Sequence, residues 1–251
     1  MRSNRSRLAS CLALLLLSGC TGAAPGPTTP TTGGPGAVTG DWDGVGDFAD
    51  AVMAEDASRA APHAAAGSPA ARYLTFQSDF VAADPAHAKP NPATWAVAVD
   101  KHLGVVTIKL DDGSALTWTD WRFDATGKIL QWSTPTAGPL EKRLWTARPS
   151  ASAAQGTIAV SSGLVNDASL NIVLGVCATG TPLVPDCDAT YAAASGTPAK
   201  PVGCLAPTSV PANGTAKVAL QYAGAAFGGT LSYALKDAAG ATLGTLRLTV
   251  T

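Results

Sequence analysis

Apolar positions recur with two different periods along the chain. From Asp47 to about Ala61 they recur at helical spacing: Phe48, Ala51, Val52 and Glu55 share one face, and the alanine content favours a helix. Pro62 and the Gly67-Ser68-Pro69 cluster end that pattern. Arg72-Tyr-Leu-Thr-Phe-Gln77 reads as a short strand, and the prolines of Asp84–Pro92 read as a loop. Period-two alternation then takes over. Thr94–Asp100, Val105–Leu110, Ala115–Phe123 and Lys128–Ser133 predict four strands, joined in part by the turn sequences Asp111-Asp112-Gly113 and Asp124–Gly127. An α+β region follows, with a helix leading into an antiparallel meander.

After the small-residue stretch Ala147–Gly156, strands are predicted at Thr157–Ser161, Leu170–Cys177, Lys217–Tyr222, Thr230–Lys236 and Thr242–Val250. In the last three, Val218, Leu220, Tyr222, Leu231, Tyr233, Leu235, Leu246, Leu248 and Val250 alternate inward, while Lys217, Gln221, Lys236 and Arg247 alternate outward. Short strands at this spacing fit an immunoglobulin-like β-sandwich in architecture, without the Cys–Trp–Cys core of antibody domains. The fold class is therefore mainly β: an α+β region over 41–147, then a sandwich over 148–251.

The chain's beginning belongs to neither region. Arg2, Arg5 and Arg7 precede an apolar run from Leu8 to Leu17, too short to span a bilayer, which takes about 20 residues. Leu17-Ser18-Gly19-Cys20 resembles the lipobox of bacterial lipoprotein precursors. The resemblance implies a signal peptide over 1–19, cleavage before Cys20, and a diacylglycerol thioether on Cys20. The protein would then be extracytoplasmic and lipid-anchored to a bacterial cell membrane. Residues 20–40, rich in Thr, Pro and Gly and without charge, form an expected disordered tether that spaces the folded part from the membrane.

Composition narrows the partners. Of the 251 residues only 14% are charged, Gly and Pro together number 44, and the net charge is −1. Without the three leader arginines the balance is 14 basic against 18 acidic side chains, or −4. Nucleic acid is excluded as a partner, because phosphate binding needs clustered Lys and Arg. The sequence contains no Gly-x-Ser-x-Gly, Ser-x-x-Lys, His-Glu-x-x-His or phosphate-loop motif, and only two glutamates. His63, His87 and His102 fall in a helix end, a proline loop and a hairpin turn, where histidines are usually solvated. No cofactor and no catalytic residue are expected.

Four tryptophans, Trp95, Trp118, Trp121 and Trp132, are the candidate binding residues. Trp118 and Trp121 lie three apart, so an unbroken strand sends one to the core and the other to solvent. An exposed indole is a platform for sugar rings or a protein partner, whereas a bulge or covering loop makes both structural. Asp41, Asp43 and Asp47 around Gly44 and Gly46 resemble a calcium loop of the Asp-x-Asp-Gly type, like integrin-type repeats that begin Gly-Asp-Trp-Asp-Gly. Against that, Val45 stands where an oxygen ligand belongs, and the same aspartates suit the start of a helix.

Excluding Cys11 and Cys20, export leaves Cys177, Cys187 and Cys204 in an oxidising space, where one disulfide and one spare thiol are expected. Cys177–Cys187 is the favoured pair, stapling a proline-containing loop and leaving Cys204 spare. Pairings of Cys204 with either partner remain open, since spacing does not fix connectivity.

Two functions follow from these readings. The first is a non-enzymatic, lipid-anchored envelope protein that presents β domains to an envelope polysaccharide or protein. The second rests on Trp121-Arg-Phe-Asp-Ala-Thr-Gly-Lys-Ile-Leu-Gln-Trp132, which resembles the final hairpin of nuclear-transport-factor-2-like domains. That resemblance implies a small-ligand carrier or enzyme with a pocket within 41–147.

Overall fold

A computed structural model describes residues 40–145, 151–166, 169–224 and 226–251. The expected signal peptide, Cys20 and the expected tether up to residue 39 lie outside the described residues. No described helix is long and apolar enough to cross a membrane. The molecule is mainly β, with a few helices at the start of the described chain and three antiparallel sheets.

Helix α1 runs Trp42–Met53, five residues earlier than the spacing predicts. Asp41 is its N-cap, accepting a 3.1 Å hydrogen bond from the Gly44 N–H. After the short turn α2 (Ala57–Ala60), helix α3 spans Pro69–Ala82. This corrects the strand expected at 72–77. Ser68 caps the helix through the Ala71 N–H at 3.1 Å, and Pro69 sits at N1, where its missing N–H costs nothing. The Gly-Ser-Pro cluster therefore ends one element and also starts the next.

The meander forms as predicted: β1 (Trp95–Asp100), β2 (Val105–Leu110), β3 (Ala115–Phe123) and β4 (Ile129–Thr134) pair in order, and the two-residue β5 (Gly138–Pro139) adds an edge. Gly113 and Gly127 hold the positive φ values, 85° and 84°, that their turns require. The helical turn α4 (Leu140–Arg143) leads into β6 (Leu144–Trp145).

The second region is a sandwich of two sheets. One follows the order β11-β12-β9-β8-β6, with β7 also on β8, where β7 is Ala151–Ala153, β8 Gly156–Asn166, β9 Ser169–Ala178, β11 Gly203–Leu205 and β12 Thr215–Ala223. The other is β10 (Thr190–Ala192), β13 (Gly229–Lys236) and β14 (Thr242–Val250). The nine residues assigned inward by alternation are all buried between the sheets. β9 is buried on both faces: Ile172 and Leu174 face the sandwich core, whereas Val173 joins the core of the first region. The larger sheet is thus a middle layer, covered on its outer face by α3.

The disulfide is Cys187–Cys204, not Cys177–Cys187. Cys177 is buried in β9, a central strand, opposite Thr157 and Thr215. Cys187 is exposed in the loop before β10, and Cys204 lies on the edge strand β11, so the bond ties the margins of the two sheets. Near it, the buried Asp186 accepts from Lys236 Nζ at 2.6 Å and the Ala234 N–H at 2.8 Å, while the Tyr233 hydroxyl accepts from the Asp186 N–H at 2.9 Å.

Candidate functional site

The tryptophans do not form an exposed platform. All six are 9% exposed or less. Trp118 and Trp121 share one face because β3 carries a bulge. Thr119 pairs with Ser133 and Arg122 with Gln131, so three steps on β3 match two on β4. Asp120 absorbs the extra residue at a φ of 50°. The indole N–H of Trp121 donates to the Trp118 carbonyl at 3.3 Å. Trp132 is the hub of the cluster, stacked on Trp118 and Trp121 at centroid distances of 5.1 and 5.7 Å and met edge-on by Tyr73 at 5.3 Å and Phe48 at 5.4 Å. Trp95 stands apart, donating from Nε1 to Asp50 Oδ1 at 2.9 Å.

The calcium reading of Asp41, Asp43 and Asp47 is corrected by helix α1. A calcium loop must turn sharply at its glycine to converge its oxygens, but here Gly44 and Gly46 lie within helical turns. Asp41 is occupied as a cap, Asp43 pairs with Lys101 at 2.5 Å, and Asp47 faces solvent. Among the described residues no three metal-ligating side chains converge.

A cleft of about 550 Å³ opens beside the aromatic cluster. Trp118, Trp132 and Tyr73 supply its aromatic wall, while Glu55, Gln77 and Arg143 supply its polar groups. Leu164 and Asn166 of β8 also line it, so both regions contribute. The size is in the ordinary range for small-molecule sites, as is an apolar surface with a few converging polar groups.

Each polar group is held by the local fold. Arg143 is only 7% exposed. Its Nε donates to the Val165 carbonyl at 3.1 Å, Nη1 to Thr134 Oγ1 at 3.3 Å and Nη2 to Asn166 Oδ1 at 2.7 Å, which fixes the plane of the guanidinium. Gln77 donates from Nε2 to the Val52 carbonyl at 2.8 Å. Glu55 occupies the residue after the C-cap of α1 at a φ of 53°. The Asp56 N–H bonds the Ala51 carbonyl at 2.9 Å and the Glu55 N–H bonds the Val52 carbonyl at 3.1 Å, which is a Schellman motif. Glycine is the usual residue there, and a side chain costs on the order of 1 kcal/mol. Glu55 Oε2 is hydrogen-bonded to His87 Nε2, and His87 Nδ1 lies 3.9 Å from Asp84 Oδ2. Burial pushes the Tyr73 phenol above its ordinary range. The charge of Arg143 opposes that rise and the charge of Glu55 adds to it, so the hydroxyl lies in the field of both.

Of the four candidate tryptophans, the cleft brings together Trp118 and Trp132, whereas Trp95 and Trp121 do not line it. Glu55, Tyr73, Gln77 and Arg143 were not legible as site residues. Glu55 fits the helical pattern, and its left-handed backbone has no marker in the sequence. Arg143 offers a faint signal, a charged island between Leu140 and Leu144-Trp145.

Comparisons with protein-family models, with curated proteins and with solved structures return no match for this chain.

Proposed function

We propose that this chain is a lipid-anchored protein of the bacterial cell envelope that binds a small ligand in the cleft beside its aromatic cluster. The observation that carries the reading is a buried, hydrogen-bonded Arg143 lining an aromatic-walled cleft. A guanidinium removed from solvent is costly and needs polar partners; lining a cleft, it also orients a ligand's polar end. Most of the pocket's lining comes from the meander and the helices before it, which supports the carrier implied by the likeness to nuclear-transport-factor-2-like domains, while Leu164 and Asn166 add a wall from the second region. The other reading, a β face offered to an envelope polymer, has the lipid anchor and the sandwich behind it. It lacks an exposed indole, since all six rings are buried.

The test uses the protein from residue 41 onward and a small-molecule library followed by ligand-observed NMR and tryptophan fluorescence. Hits are expected to perturb the fluorescence and to lose affinity at least tenfold when the exposed rim residue Ala115 is filled by Ala115→Trp. Retention on envelope polysaccharide, with no small molecule affected by Ala115→Trp, would replace this reading with the polymer one. Cys20→Ser tests the anchor separately: the variant should leave the detergent phase, and partitioning there after processing would refute lipidation.

A further inference from the structure

Glu55 combines two features that are hard to explain by packing. Its backbone sits at a φ of 53°, where glycine is favoured, so a larger side chain is kept there against a local conformational cost. That side chain lines the cleft, is 25% exposed, and is the one acidic group among the described lining residues. Its Oε2 is held by His87, itself flanked by Asp84, while Oε1 has no hydrogen bond among the described residues. Two carboxylates about one imidazole keep a net negative charge whether the ring is protonated or neutral. The C-terminus of the 12-residue α1 adds the negative end of its dipole at the same place.

The surroundings of Glu55 are short of donors and bounded by rings. The Val52 carbonyl accepts from the Glu55 N–H at 3.1 Å and from Gln77 Nε2 at 2.8 Å, which sets the Gln77 amide beside Glu55. Gln77 Oε1 is buried and finds no donor among the described residues, an arrangement that is costly until a donor arrives. Tyr73 lies one turn earlier on the same face of α3. Burial raises its phenol above the ordinary range, and the charge of Glu55 adds to that rise against the charge of Arg143, so the ring stands in the field of the carboxylate. Tyr73 meets Trp132 at 5.3 Å, and Trp132 stacks on Trp118 at 5.1 Å. Contacts therefore lead from Glu55 to the indole wall through residues that all line the cleft.

We infer that Glu55 receives a protonated amine of the ligand, whose apolar body lies against Trp118, Trp132 and Tyr73. The ligand class is an organic monoamine, with one ammonium group and no carboxylate. This inference rests on the cleft being a binding site. An ammonium group carries three donors, which suits the unbonded Oε1 and the unmet acceptor of Gln77, and aromatic faces attract a cation further. Arg143 is assigned no charged group of the ligand, since its Nε, Nη1 and Nη2 each already donate within the fold. A ligand carboxylate would therefore find no uncommitted cation among the described lining residues to offset its loss of hydration.

Four probes separate the terms: 2-phenylethylamine, its neutral isostere 2-phenylethanol, the zwitterion L-phenylalanine, and ethylamine, which lacks the ring. Each is titrated against the protein from residue 41 onward by calorimetry at neutral pH. 2-Phenylethylamine should bind at least tenfold more tightly than each of the other three. Glu55→Gln should bring it down to the level of 2-phenylethanol and leave 2-phenylethanol unchanged, and Glu55→Asp should recover part of the loss. Thermal melts of each variant establish that it is folded. Equal binding of 2-phenylethylamine and 2-phenylethanol overturns the role of Glu55. Phenylalanine binding as tightly as the amine overturns the exclusion of a carboxylate, and ethylamine doing so overturns the part given to the rings. An equal loss of amine and alcohol in Glu55→Gln makes Glu55 structural and overturns the inference. If none of the four binds although the library finds cleft ligands sensitive to Ala115→Trp, the amine class falls and the cleft reading stands. If the library also finds none, both fall.

Discussion

Asp120 decides which face of the first sheet carries Trp121. By adopting a left-handed conformation inside β3 it makes a three-residue spacing behave like a two-residue one, so both indoles reach the aromatic cluster. Asp120→Gly should keep the bulge and change stability by about 1 kcal/mol or less, in the stabilising direction, by urea unfolding. Deleting Asp120 should turn Trp121 outward and cost about 3 kcal/mol or more, with collapse of the near-UV signal from the stacked indoles. Aspartate tolerates positive φ better than most residues, but Thr119-Asp120 carries no stronger mark of a bulge, so alternation alone gives the wrong face. Asp50 supports a second prediction. Burial raises its carboxyl pKa, but hydrogen bonds from Arg59 and Trp95 and the charge of Arg59 outweigh this and hold it below the ordinary value of 3.8. A depressed folded value stabilises the protein above the unfolded value, and that stability is lost as pH falls through the folded one. Asp50→Asn should therefore be less stable than the native chain at pH 5–7, with the gap closing below about pH 4. Asp50 is 39% exposed, so solvent screening limits the gap to well under about 1 kcal/mol.

Hairpins were the most legible elements and α3 the least. The turns at Gly113 and Gly127 each place a residue without a Cβ at a positive φ, a local requirement visible in the sequence. Arg72–Gln77 has strand-like alternation in isolation. Ala70, Tyr73, Leu74, Phe76 and Phe80, however, are buried or half-buried against other elements, and that packing decides for the helix. The cleft was half legible. Its tryptophans stand out by type, whereas Glu55 and Arg143 depend on a helix C-terminus and a one-turn helix that no spacing rule reaches. The disulfide followed strand order, which also lies beyond spacing: Cys177 went to the sheet centre, and the two cysteines near sheet edges met. Closing a loop with a sequence separation of 17 residues stabilises the fold by about 3 kcal/mol through the unfolded chain. Cys187→Ser and Cys204→Ser should each lose about that much, and the double variant no more than either single one. Reducing agent should lower the native midpoint and leave all three variants unchanged.

At the scale of the whole molecule, the two sequence patterns that meet near residue 147 build two cores, one on each face of the larger sheet. β6, before the boundary, hydrogen-bonds to β8 after it, pairing Leu144 with Leu164 and Trp145 with Gly163. A Cβ on Gly163 would come within 2.7 Å of the Trp145 ring, so glycine there lets the indole lie on the sheet. The outer face of the larger sheet gives Leu164, Val173 and Ala219 to the core around the aromatic cluster, and Lys217 pairs with Asp79 of α3 at 2.9 Å. Burying three apolar side chains and an indole across the boundary removes enough apolar surface that either part alone would expose a wet core face. The chain from residue 41 onward should therefore unfold in one transition, with tryptophan fluorescence, from five indoles in the first core and Trp145 in the second, reporting mainly the first region and amide exchange in β13 and β14 reporting the second at the same midpoint. Val173→Asp is the sharpest probe, because it places a charge on the second region's sheet inside the first region's core. It should lower both midpoints together by about 3 kcal/mol or more. A variant in which β13 and β14 stay protected while the fluorescence of the aromatic cluster is lost would show two independently folding units, and the shared layer would then be a contact without cooperative consequence.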